Sequence, residues 1–322
     1  MRGKSEGIER RSRETITIGT RGSPLALAQT GFVAGLIRKK FPRMIVQTRV
    51  IKTTGDKILD APLSKIGSKG LFTKELEEAL LRREIDLAVH SLKDLPSELP
   101  RGLAIGAILK RADSRDCLVS ARKWTLMSIP RGSKVGTSSL RRQAQLLALR
   151  PDLKVENLRG NLDTRVRKLR EGVFDAILLA AAGIARLRDP RLVAGLSVHK
   201  ISRAQMLPAV GQGALAVEIR ERDGAALGAL RFLDHRPTRV LAQSERAFMK
   251  TLEGGCQVPV GIHSRLSGGT IVLDGLIASV SGGRCVRKNV SGPAAQAERL
   301  GSRLARELLR DGGREILGEI RT

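Results

Sequence analysis

Apolar and polar positions along the chain change period several times, and the changes repeat. TITIG (15–19) alternates as a half-buried strand does, and LALAQTGFVAGLIRKK (25–40) then spaces its apolar residues at helical intervals. MIVQTRVI (44–51) predicts a second strand. The same plan opens again at KVG (134–136), followed by TSS and the helical pattern LRRQAQLLALR (140–150). Aligned, IGTRGSPLALAQ and VGTSSLRRQAQL share a strand, a Gly-Thr turn, a serine and a helix, and Phe41-Pro42 and Arg150-Pro151 end the two units. After an intervening helix each copy reaches an acidic residue that enters an apolar strand, IDLAVHS (85–91) and FDAILLA (174–180). Repeated β-α-β units predict two α/β lobes that grip a ligand near strand C-termini and helix N-termini. LPAVGQG then leads into ALAVEIR (214–220), which predicts a strand crossing back to the first lobe.

From about residue 236 the pattern changes. TRVLAQSERAFMKTL (238–252) predicts a helix, VPVGIHSRL (258–266) and TIVLDGLIASV (270–280) predict strands joined by a Gly-Gly turn, and GPAAQAERLGSRLARELL (292–309) predicts a closing helix. The resulting division is 14–110 with 214–232 as the first lobe, 115–208 as the second, and 236–322 as a compact α+β domain. Cys256 falls in the loop between that domain's first helix and first strand.

At 322 residues, 41% of them hydrophobic, the chain is long enough for two or three folded domains. It has no apolar stretch of membrane-spanning length, and its charged first residues lack the apolar centre of a secretory signal; the expectation is a cytoplasmic protein with no membrane partner. Cys117, Cys256 and Cys285 are odd in number and far apart, which argues against a disulfide framework or a zinc knuckle and predicts free thiols and no metal. The net charge of +26 invites a nucleic-acid reading. No Tyr, one Trp and six Phe leave few platforms for base stacking, so a basic surface or a site for a small, highly anionic substrate competes with it.

Candidate chemistry gathers at strand ends. A helix N-terminus attracts anions through its free N–H groups and dipole. Arg21 and Ser23 precede Pro24 in the first copy; Thr137, Ser138 and Ser139 precede Arg141 and Arg142 in the second. Ser23 and Ser139 read equally as simple N-caps, and the arginines as a solvated face. Arginine is also the best fork for a carboxylate, so the same residues suit a polycarboxylate. LRGNLDTRVRKL adds Arg159, Arg165 and Lys168. AVHSLKDLP (88–96) ends a strand with Ser91, Lys93 and Asp94, site candidates or a surface cap; His90 reads as a core or rim histidine. GDKILDAPLSKIGSKGLF (55–72), with Lys65 and Lys69, reads as a mobile cover or a solvated loop and is no P-loop.

Taken in order, IGTRGSPLALAQ, TTGDKILDAPLSKIGSKGLFTKELE, DLAVHSLKDLP, VGTSSLRRQAQL, LRGNLDTR, LPAVGQGAL and LEGGCQVPVG resemble the porphobilinogen deaminase (hydroxymethylbilane synthase) family over nearly the whole chain from residue 15. The resemblance implies two lobes of the periplasmic-binding-protein type and a small α+β C-terminal domain with a three-stranded antiparallel sheet. It implies a monomeric transferase of tetrapyrrole biosynthesis that adds four porphobilinogen molecules head to tail, with loss of ammonia, to a dipyrromethane cofactor. That cofactor is implied to be a thioether on Cys256, with Asp94 as the catalytic carboxylate and no metal required. Lys93, Arg141, Arg142, Arg165, Ser139, Thr137 and Ser91 are implied to bind the cofactor, and Arg21, Ser23, Lys69, Arg159 and Phe72 the substrate. Phe72 reads equally as a core residue at a helix start. Thr17 stands where many members carry arginine, and the charge exceeds what the site needs. The competing readings are a two-lobed anion-binding protein, which has no use for Cys256, and a nucleic-acid-associated protein, which leaves Asp94 unexplained; specific nucleic-acid binding is not expected.

Overall fold

The computed structural model describes residues 14–57, 70–252 and 258–321. Among them lie three sheets. The first has the order β2 (Ile45–Val50), β1 (Thr15–Thr20), β3 (Leu87–Ser91), β10 (Leu215–Arg220), β4 (Leu103–Ile108). The second repeats that order with β7 (Lys154–Glu156), β6 (Lys134–Gly136), β8 (Ala176–Ala180), β5 (Asp116–Ser120), β9 (Ser197–Lys200). In each, the first three strands are parallel and the fourth is antiparallel to its neighbours. The fourth strand is in each case delivered by a crossover from the other lobe, so the repeat seen in the two Gly-Thr turns extends to the sheet topology.

The helices on these sheets follow from local chemistry. α1 (Pro24–Lys40) starts at Ser23, whose Oγ accepts from Ala26 N, with Pro24 in the first turn and Arg38, Lys39 and Lys40 in the last, where the dipole favours cations. It buries Val33, Ala34 and Ile37 against Ile16, Ile18, Leu87 and Val217. Val33 and Ile37, removed from water, each contribute roughly 1.5–3 kcal/mol. α4 (Leu140–Leu149) is capped by Ser139 and α5 (Leu162–Arg170) by Asn161. α2 (Thr54–Lys57), α3 (Lys74–Leu81), α6 (Ala181–Leu187) and α7 (Gly224–Leu230) complete the lobes, with α6 packed on α1 across the opening between them.

The two crossovers run side by side. Ala112 N donates to Gly213 O at 2.9 Å, and Arg111 Nε to Gln212 O at 2.8 Å. Gly213 has φ +88°, and a Cβ there would lie 2.7 Å from Ala112 O, so the approach requires glycine.

The third sheet is antiparallel, β11 (Val260–Ser267), β12 (Thr270–Ala278), β13 (Cys285–Pro293), covered by α8 (Arg236–Thr251), α9 (Ala297–Leu308) and α10 (Arg314–Arg321). Gly268 and Gly269, at φ +53° and +79°, make the two-residue turn predicted between its first strands. The closing helix begins later than predicted: Gly292 and Pro293 end β13, whose one buried residue is Val290, and α9 follows a short 3-10 turn. Glu245, fully buried on α8, ties this domain to both crossovers, accepting from Arg111 Nη1 at 2.5 Å, Gly211 N at 2.7 Å and Ser264 Oγ at 2.5 Å.

Candidate active site

Three strand C-termini, those of β3, β6 and β7, lead into the turns that carry the candidate residues. β3 ends at Ser91 and runs into a 3-10 turn, Leu92–Asp94. Across from it, β6 ends at Gly136 and leads through Thr137 to the start of α4, and β7 leads through Arg159 to the start of α5. A short turn after β3 projects Lys93 and Asp94 because the strand's apolar residues, Leu87, Ala88 and Val89, are fixed in the core.

The charges of the two lobes interact there. Lys93 retains some solvent contact but is packed deeply enough that burial pushes its ammonium below the usual range; Asp94 and Asp116 oppose this and Arg141 and Arg142 reinforce it. Burial pushes Arg165 down to about 10, helped by Arg142 and Arg159 and opposed by Asp94. Lys93, Asp94, Arg141, Arg142, Arg159 and Arg165 thus form one electrostatic group.

Asp116 organises its second-lobe half. Arg142 donates from Nε and Nη2 to Oδ1 at 3.0 and 2.8 Å, Arg141 from Nη1 to Oδ2 at 2.7 Å, and Gln212 from Nε2 to Oδ1 at 3.0 Å. Burial alone raises a carboxyl pKa, but the two guanidinium groups outweigh it and hold Asp116 well below the usual range. Arg142 Nη1 also donates to Leu178 O and Arg141 Nη1 to Leu207 O. Three of the five N–H groups of Arg142 are therefore used, while the buried Nε of Arg141 and the buried Nη1 of Arg159 have no hydrogen-bond partner among the described residues.

The remaining predicted residues occupy other settings. Ser139 Oγ accepts from Arg142 N at 3.4 Å and Thr137 Oγ1 from Ser139 N at 3.2 Å, so both shape the start of α4. Ser23 caps α1, and Ser91 Oγ bonds the Gln29 amide at 3.0 Å. Arg21 pairs with Asp56 at 2.5 Å, and its guanidinium carbon lies 4.1 Å above the Phe72 ring centroid. Thr17 N donates to Asp86. His90 is buried 3.0 Å from Glu218, a core histidine as its pattern allowed. Lys65, Lys69 and Cys256 lie outside the described residues.

Three participants were not singled out in the sequence. Asp116 and Asp56 are the counter-ions of predicted arginines; Asp116 sits in no quoted motif, and GDKILDAPLSKIGSKGLF contains Asp56 without tying it to Arg21. Arg186 on α6 donates to Gly213 O at 2.5 Å, and burial alone pushes it down to about 10. A cation on a helix beginning AAGIAR gives no local signal of that burial. Among the described residues no group of His, Cys, Asp and Glu could hold a metal, and no helix is long and apolar enough to cross a membrane.

Residues 16–227 match the family model "Porphobilinogen deaminase, dipyromethane cofactor binding domain", and residues 240–310 match "Porphobilinogen deaminase, C-terminal domain". The porphobilinogen deaminase of Desulforudis audaxviator is 52% identical over 96% of this chain and 99% of its own. That of Syntrophobacter fumaroxidans is 50% identical over 95% and 97%. Among solved structures, the periplasmic aliphatic sulphonate binding protein SsuA of Escherichia coli is similar at a TM-score of 0.39 and 14% identity, over 75% of this chain and 71% of that one.

Proposed function

The chain belongs to the porphobilinogen deaminase family, and on that premise we propose that it is a transferase that joins four porphobilinogen molecules head to tail onto a dipyrromethane primer, releasing ammonia at each addition, after which water cleaves the bond to the primer and frees hydroxymethylbilane. The same reading makes it a monomer acting in the cytoplasm, in tetrapyrrole biosynthesis. The observation that carries it is the meeting of Lys93 and Asp94 from one lobe with Arg141, Arg142, Arg159 and Arg165 from the other.

The residues fit a dipyrromethane, which bears several carboxylates. Arg141 Nε is a buried donor with no partner among the described residues, and Arg165 stands among like charges, so bound carboxylates would relieve both conditions. When bound, the group supplies the pyrrole carbon to which the first porphobilinogen is joined. Cys256 is its attachment point in this reading. Arg141, Arg165 and Lys93 would hold its acetates and propionates; Arg142, with two N–H groups left, would hold α4 to Asp116 while reaching toward one more carboxylate. Thr137, Ser139 and Ser91 support that surface by fixing the turns that carry it.

Asp94 is assigned the chemical step. When the C–N bond of porphobilinogen breaks, the electron pair leaves on ammonia and a methylene-pyrrole cation remains. A carboxylate fixed in a water-poor cleft stabilises that cation, accepts a pyrrole N–H bond and takes the proton released as the rings join. Arg21, Ser23, Lys69, Arg159 and Phe72 are assigned to the incoming substrate. The Arg21–Asp56 pair and the Phe72 ring beneath it would orient one donor fork toward a carboxylate.

The test is intact-protein mass. Protein made in cells that supply porphobilinogen is expected to exceed its sequence mass by one dipyrromethane, and Cys256→Ser to lack the increment. Wild-type protein at its bare sequence mass, with turnover of porphobilinogen intact, would overturn the covalent reading.

A further inference from the structure

The active site accounts for only a fraction of the +26 charge, and the C-terminal domain shows where some of the remainder converges. α9 and α10 turn Leu300, Leu304, Leu308, Ile316 and Leu317 into the core, leaving arginines on the outer face. Between Leu309 and Gly313 the helix kinks at Asp311 and Gly312. The kink gathers Arg303, Arg306, Arg310 and Arg314 around one open groove of about 420 Å³, with Glu307 and Leu309 as its other walls.

The acids nearby are already engaged. Glu307 holds Arg303 at 2.7 Å, Asp311 holds Lys288 at 2.5 Å, and Glu315 and Glu319 both face Arg284. Arg306 and Arg314 make no ion pair among the described residues. Arg303 is held by Glu307 and Arg310 lies 3.9 Å from Asp311, which Lys288 also claims, so cations outnumber acids at the groove and an anion bound between Arg306 and Arg314 would relieve their repulsion.

We propose that this groove docks the phosphodiester backbone of RNA without reading its sequence. The groove offers four guanidinium groups, which sets about four neutralised phosphates as its upper limit. Guanidinium forks suit phosphate oxygens. No aromatic side chain lines the groove, so bases have nothing to stack on and the contact is to the backbone alone. An acidic protein partner would need apolar or aromatic anchors at its centre, and a membrane-surface helix would expose a broad apolar face; the groove offers only half-buried Leu309.

The experiment measures binding of the full chain to a 20-nucleotide poly(U) RNA between 50 and 200 mM salt. About four phosphate contacts predict a slope of log K against log salt near −3. Arg306→Gln, Arg310→Gln and Arg314→Gln together are expected to flatten that slope by about two, with porphobilinogen turnover unchanged as the check that the variant is folded. Lys123→Gln, Arg131→Gln and Lys154→Gln, the same charge loss on exposed positions of the second lobe, are expected to leave the slope within about half a unit. The proposal fails if wild-type binding is absent, if the second-lobe variant loses as much as the groove variant, or if poly-glutamate or anionic vesicles bind the groove as tightly as RNA.

Discussion

Arg142 and Asp116 meet through two nitrogens on one oxygen: Nε and Nη2 lie 3.0 and 2.8 Å from Oδ1, with both side chains buried. Arg141 takes the other oxygen, so a single carboxylate from β5 pairs with two consecutive arginines of α4 and offsets one of their two charges. Without it, two cations would stand side by side in the interior, where removing one partner of a buried pair costs about 3–5 kcal/mol.

Asp116→Asn should therefore destabilise the protein by about 3 kcal/mol or more at pH 7, read as a lower urea midpoint. The pH dependence has a definite sign. The folded-state carboxyl is held far below its unfolded value of 3.8, so its contribution is fully present above that value and is lost as pH falls through the folded value. The difference in stability between wild type and variant should be constant from pH 5 to 8 and shrink below pH 4. A variant as stable as wild type at pH 7 would remove Asp116 from this role.

Asp94→Asn keeps the shape of the side chain and removes its charge. Since Asp94 lies in a turn whose apolar neighbour Leu92 remains buried, the fold should be retained. Turnover of porphobilinogen should fall by about 100-fold or more, the scale associated with a positioned proton-transfer group or charge stabiliser. Melting temperature and kcat, measured together, check it; near-normal kcat would move the chemical step to another residue.

Much of this architecture could be read from the chain because it is locally encoded. β1 and α1 are set by alternation, by Ser23 and Pro24 and by the basic last turn, all within 26 residues. What could not be read is non-local. Asp116 takes its meaning from arginines 25 and 26 positions away and from Gln212, 96 positions away. β13 carries a single buried residue and no apolar run, so only its pairing with β12 makes it a strand. For Ser139 the pattern allowed a cap or a ligand contact; its Oγ accepts from Arg142 N, so the local sequence does encode the cap.

Arg165 separates affinity from stability. Burial and its neighbours Arg142 and Arg159 push it down to about 10, so the folded protein holds this charge at a cost below that pH and recovers it as pH rises toward 12.5. Arg165→Gln should leave the cofactor-free protein as stable or stabilise it by about 1 kcal/mol. The same change should weaken use of porphobilinogen by roughly 10- to 100-fold in kcat/KM, the scale of a lost charged hydrogen bond. Thermal unfolding of a Cys256→Ser background, set beside kinetics in the wild-type background, measures both; a large loss of stability would make Arg165 a structural residue.

The thiols give the last prediction. Cys117 is fully buried on β5, and burial with the neighbouring Asp116 pushes it up to about 11, so it should not react at pH 8. Cys285 is exposed at the start of β13, although partial burial also pushes its thiol up, so it should react, more slowly than a free thiol. Native protein carrying its cofactor should thus release one equivalent from a disulfide reagent such as DTNB, and unfolding in guanidinium should reveal one more. Cys256, joined in a thioether, should never appear. Cofactor-free wild-type protein should give three equivalents when unfolded and Cys256→Ser two. Three from unfolded protein that carries the mass increment would rule out attachment through this sulfur.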